Sequence, residues 1–199
     1  MGYCPGGSGH QEGHPDPFPC NIDVPMDFTR VLDLLDGYFS RASQQFAVIG
    51  ALGIAARGVG RTTFDVDIVT RSEAQRGLIA FLQSQGYRTD HRSSGYSNHV
   101  HEDSDLGRID VVYVSGKTAD QIFDGVSMHD GPGGGVIPVP RVEHLAAMKI
   151  FAIKNNPQRV LQDLDDIRRI LDLQNVNRGE IRAYFQKYGL EDLLERLEG

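Results

Sequence analysis

The feature that most constrains this chain is Asp65-Val66-Asp67, set in the run Asp65-Val66-Asp67-Ile68-Val69, where acid and apolar residues alternate. Period-two alternation marks a strand with one buried face, and residues two apart in a strand point the same way. Both carboxylates therefore project together, with Val66 and Ile68 turned to the opposite face. Carboxylates held side by side repel, which is costly unless a proton or cation sits between them. A second apolar run, residues 108–114 (RIDVVYV), carries Asp110 in its interior. If the two strands are sheet neighbours, Asp110 completes a three-carboxylate cluster. Hard divalent ions such as Mg²⁺ take such oxygens together with substrate phosphates. The plainer alternative is that Asp65 and Asp67 line the solvated face of a half-buried edge strand.

Around these runs the chain divides into three stretches. Residues 1–25 are dense in Gly and Pro without apolar periodicity, and read as an irregular arm. Residues 26–140 form the expected core. Phe28, Val31, Leu32, Leu35, Tyr38 and Phe39 recur at helical spacing over about 27–41. FAVIG, residues 46–50, reads as a buried strand running into a tight turn, and ALGIAARG as a short helix. Ser72 with Gln75, and Thr118 with Gln121, have the spacing of capping boxes and predict helices to about Ser84 and Gly125. YRTD, HVHED and VIPVP read as further strands. Residues 141–199 are helical: one helix over 142–154, a second capped by Asn156 with Pro157 at its first position, a third capped by Asn177 and Glu180, and a fourth over 190–197. The expected fold class is α+β, a small mixed sheet flanked by helices with a helical C-terminal portion packed on it.

Ile49-Gly50-Ala51, a spacer of thirteen residues (52–64), Asp65-Val66-Asp67-Ile68, and the later Ile109-Asp110-Val111 together resemble the signature of the nucleotidyltransferase superfamily, of the DNA polymerase β-like type. The resemblance runs over about residues 28–173. It is closest to small bacterial minimal nucleotidyltransferases and to toxin proteins of the abortive-infection (AbiEii) type, through IGALGIAARGVGRTTFDVDIV, EHLAAMKIFA and RVLQDLDDIRRIL. It implies transfer of a nucleoside monophosphate from an NTP such as ATP to an acceptor hydroxyl, with Mg²⁺ or Mn²⁺ as cofactor. It further implies that Asp65, Asp67 and Asp110 are the metal ligands and catalytic residues, and that the Gly50–Ala51 turn lies against the phosphates. The acceptor stays open among a tRNA end, a protein side chain and a small molecule, and a toxin-type member would have a cognate antitoxin. The family often carries Ser where this chain has Ala51, so a catalytically degenerate nucleotide- or partner-binding protein on the same fold is the rival reading.

Arg61 suits bidentate contact with phosphate oxygens, or a solvated loop. Lys149 shares a helical face with Leu145 and Ala152, so its stem either snorkels to water or reaches into a cleft, where the resemblance would have it neutralise a triphosphate. Asp163 and Asp166, three apart on one helix, read as partners of these cations or as an ordinary exposed charged face. His99 and His101 share a strand face and read as substrate or metal contacts, or as surface polar residues. Cys4, His10, His14 and Cys20 have the residue types of a tetrahedral zinc site, at spacings wider than usual; an unstructured tail is the plainer reading. The chain is acidic, with a formal net charge of −7, which argues against a large RNA footprint. It has no long apolar run for a membrane span, no secretory signal pattern and no disulfide framework, and a cytoplasmic protein is expected.

Overall fold

A computed structural model describes residues 26–59 and 62–198; the arm over 1–25, with its Cys and His set, and Arg61 lie outside the described residues. The first helix, α1 (Phe28–Ala42), buries Val31, Leu32, Leu35 and Phe39 on one stripe, and the Asp27 side chain caps it by accepting from the Arg30 N–H. β1 (Phe46–Val48) is fully buried and leads at once into α2 (Gly50–Ala55). β2 (Asp65–Arg71) is followed by a 3₁₀ turn, α3 (Gln75–Ser84), β3 (Arg88–Arg92), β4 (Tyr96–Val100) and β5 (Arg108–Val114). Then come α4 (Gly116–Asp124), the β6 (Ser127–Asp130) and β7 (Val136–Val139) hairpin, α5 (Val142–Asn155), α6 (Val160–Leu171), α7 (Arg178–Tyr188) and α8 (Glu191–Glu198). No helix among the described residues is long and apolar enough to cross a membrane.

The main sheet has five strands in the order β1-β2-β5-β4-β3. Its centre is the β2–β5 pair, the one parallel pairing of a sheet otherwise antiparallel. Val66, Ile68, Ile109 and Val111 are completely buried on one face of that pair. Tyr113 shares this face and lies near Tyr38 of α1, whose ring stacks on Phe81 of α3. The other face carries the acids. There α2 sits against β2, and the Leu145 side chain of α5 lies beside Gly53 of α2. The expected α+β class with a helical C-terminal portion is the architecture found.

Several local expectations give way to tertiary structure. Ser72 makes no capping bond to the backbone; residues 72–74 form a 3₁₀ turn and α3 starts at Gln75. Thr118 lies inside α4, which begins two residues earlier. HVHED is a strand only in its first two residues: β4 begins earlier, at Tyr96, and ends at Val100, and residues 101–107 turn the chain back into β5 through Gly107, whose φ of +49° suits glycine. β6, too polar to show a strand pattern, pairs with β7. By contrast the Asn156 and Asn177 side chains do cap, accepting from the Gln158 and Glu180 N–H groups.

Candidate metal and nucleotide site

The register of β2 against β5 pairs Asp67 with Asp110 and Asp65 with Arg108. Strand alternation turns all four side chains to the same face. Asp65, Asp67 and Asp110 each offer a carboxylate oxygen, and these oxygens lie within 4.8 Å of one another. Asp65 and Asp67 are half-buried and Asp110 is 7% exposed. β2 lies inside the sheet, so the solvated-edge reading of the Asp pair does not hold.

Burial, then the charges of Asp65 and Asp110, raise the Asp67 carboxyl to about 7; Lys149 and Arg159 pull weakly the other way. A carboxylate reluctant to ionise between two others marks a site suited to a cation. The seat for Asp67 is made by Gly50. A Cβ there would stand 1.9 Å from Asp67 Oδ2, and Gly50 has φ +60°, a backbone conformation that favours glycine. The Ile49 N–H donates to the Asp67 carbonyl at 2.9 Å, fixing the β1–α2 turn to β2. Ala51, next in the turn, is buried.

The three acids differ in their partners. Asp65 accepts from the Thr63 hydroxyl at 2.5 Å. Asp110 is held by a bidentate guanidinium, Arg108 Nε to Oδ1 and Nη2 to Oδ2, both at 2.9 Å. The Asn98 amide of β4 also donates to Asp110 Oδ1 at 2.5 Å, and Tyr96 of β4 stands close enough to feel the charge of the same carboxylate. Sequence reasoning passed over these four residues. Arg108 was legible, two positions before Asp110 in one strand; Asn98, Tyr96 and Thr63 needed the register and the loop.

Lys149 is 7% exposed, with its ammonium 2.9 Å from Asp163 and 2.7 Å from Asp166. Those two carboxylates are almost wholly buried, so they are no exposed charged face. Arg159, in the 3₁₀ turn before α6, reaches Asp163 at 3.4 Å. His99 is wholly buried on the face away from the acids, where Ser97, Thr89 and Tyr113 surround it. His101 accepts from the Asp103 N–H and packs its ring edge-on to Tyr87. Neither histidine is at the acid cluster. A cavity of about 600 Å³ lies at the far end of α2, between Arg57, His129, Arg141 and Asn177, and shares no residue with the acids.

No protein-family model and no curated protein matches the sequence. Solved structures do. The lincosamide antibiotic adenylyltransferase LnuA, with lincomycin bound, is 16% identical over 74% of this chain and 98% of its own, with a TM-score of 0.50. The antibiotic-resistance factor ANT(2'')-Ia is 16% identical over 86% of this chain and 90% of its own, at 0.51. An antigenic nucleotidyltransferase-like protein from Paracoccidioides brasiliensis is 13% identical over 88% of this chain and 95% of its own, also at 0.51. The chain has the nucleotidyltransferase fold. At these identities the likeness is one of fold. On this nucleotidyltransferase fold the acids occupy the two paired central strands, with the Gly50 turn directly beside them.

Proposed function

We propose that this chain is a metal-dependent nucleotidyltransferase, moving a nucleoside monophosphate from an NTP to an acceptor hydroxyl with release of pyrophosphate. The observation that carries the reading is the convergence of Asp65, Asp67 and Asp110 from two paired strands within 4.8 Å, on this fold. The donors suit Mg²⁺ or Mn²⁺: all are hard oxygens, and the Asp67 carboxyl, raised first by burial and then by the charges of Asp65 and Asp110, sits among like charges that a divalent cation would offset. When bound, the metal supplies charge neutralisation at the phosphates and activation of the attacking hydroxyl.

The chain's own residues then divide the work. Asp65 and Asp67 present oxygens side by side toward the triphosphate. Gly50, by lacking a side chain, lets the β1–α2 backbone close on Asp67, and the Gly50–Ala51 turn forms the phosphate side of the site. Asp110 serves the acceptor side and takes the hydroxyl proton. Lys149 and Arg159 supply positive potential toward Asp67, with Lys149 oriented by Asp163 and Asp166. Arg61, just before β2, is the candidate for direct contact with phosphate oxygens. A small-molecule hydroxyl is the acceptor this reading favours. The fold is shared with a lincosamide antibiotic adenylyltransferase, LnuA, and with an antibiotic-resistance factor, and LnuA aligns over 98% of its length. A protein or tRNA acceptor, with a cognate antitoxin, is the competing form of the same activity.

The test is pyrophosphate release from each NTP with Mg²⁺ or Mn²⁺ and a panel of hydroxylated small molecules, tRNA and protein. Release with wild type, lost in Asp65→Asn/Asp67→Asn, supports the reading. Tight nucleotide binding without release under any condition would favour a degenerate member, the reading kept open by Ala51.

A further inference from the structure

Most of the coordination capacity of Asp110 is already taken. A carboxylate offers about four lone-pair positions. Arg108 Nε and Asn98 Nδ2 take those of Oδ1, and Arg108 Nη2 takes one of the two on Oδ2. A metal ion that shares Asp110 with its neighbours therefore meets a donor on each oxygen, two of them from one guanidinium. Asn98 is 7% exposed and fixed in β4 opposite Asp110. Arg108 is different: its side chain is 49% exposed, on a long stem, and carries the positive charge that an incoming cation would replace.

We propose that Arg108 is an internal cation that neutralises Asp110 in the metal-free protein and competes with divalent metal for that carboxylate. The proposal rests on the reading of the three acids as a metal site. Arg108 sits opposite Asp65 in the β2–β5 register, so its charge stands on the face where the metal would bind. A divalent ion would be held first by Asp65 and Asp67, and Asp110 would become fully available to it when the guanidinium swings out toward solvent. Arg108 is a positioning residue under this scheme, and it makes the fully loaded site depend on metal concentration.

The experiment is calorimetric titration of the full chain with Mn²⁺ alone at pH 7.5, for wild type, Arg108→Met and Arg108→Lys, with thermal unfolding run alongside. Removing the competing charge should tighten Mn²⁺ binding roughly tenfold in Arg108→Met. Arg108→Lys, a cation without the fork that spans both oxygens, should fall between. A structural role for Arg108 predicts the opposite sign, because Asp110 would lose its orientation. Unchanged or weaker Mn²⁺ binding in a cooperatively folding Arg108→Met or Arg108→Lys protein overturns the proposal. If no variant nor wild type binds Mn²⁺, even with a non-hydrolysable NTP analogue, the metal-site reading fails and the proposal with it; wild-type binding that Arg108 variants do not alter removes the proposal alone.

Discussion

The two faces of the five-stranded sheet solve the same problem in opposite ways. On one face Ser97, His99 and Tyr113 are buried, and their polar atoms satisfy one another: Thr89 Oγ1 to His99 Nδ1 at 3.2 Å, Ser97 Oγ to His99 Nε2 at 2.8 Å, and Ser97 Oγ to Tyr113 Oη at 2.8 Å. Burial lowers the His99 pKa and raises that of Tyr113, so both stay neutral. On the other face three carboxylates crowd together, and Arg108 directly balances only Asp110. A polar cluster whose groups are all paired and neutral contributes to the fold. A cluster that keeps uncompensated like charge is held in place by the fold at a cost, and such sites are where function concentrates.

Four variants break or sharpen that contrast, the largest effect on stability first. Lys149→Met would take from the buried Asp163 and Asp166 the ammonium they share, and should cost about 3–5 kcal/mol in thermal or denaturant unfolding. Retained stability would place Lys149 with the unbalanced acids and not with the paired groups. Gly50→Ala brings a Cβ onto Asp67 in a left-handed backbone. It should cost on the order of 3 kcal/mol and abolish metal-dependent nucleotide binding. Ser97→Ala removes the centre of the neutral network, leaving His99 and Tyr113 short of a partner. About 2 kcal/mol of stability should go, while nucleotide affinity stays as in wild type. A change in affinity would mean that the faces are coupled.

Asp67→Asn should do the reverse, abolishing activity and stabilising the metal-free protein by about 1–2 kcal/mol at pH 7.5. The sign follows from linkage. The folded chain keeps a proton on Asp67 up to about pH 7, against an ordinary value of 3.8. Between those pH values the folded state binds more protons than the unfolded one, so metal-free stability falls as pH rises from about 4 to about 7. Asp67→Asn should flatten that slope and give no gain near pH 4. Unfolding midpoints across this range, with EDTA present, provide the check.

The acid triad was legible because period-two alternation needs no tertiary information: Asp65 and Asp67 share a face in any strand. That Asp110 lies opposite Asp67, and His99 opposite Ile109 on the far side, required the register, which alternation does not supply. His99, readable as a substrate or metal contact or as a surface polar residue, is neither: β4 buries it on the face away from the acids. The i,i+3 spacing of Asp163 and Asp166 was readable, but their burial depends on α5 bringing Lys149 across to α6. The Ser72 and Thr118 caps misled because a capping pattern states only a local preference, and the β2 exit and the Ser115–Gly116 turn set where those helices begin.

The most direct test of the central claim is titration of a non-hydrolysable ATP analogue into wild type and Asp65→Asn/Asp67→Asn, with Mg²⁺ and with EDTA. Binding by wild type only with Mg²⁺, lost in a variant at least as stable as wild type, is the predicted result. Equal binding by the variant, or binding by wild type that ignores Mg²⁺, would contradict the assignment of these carboxylates as the metal site.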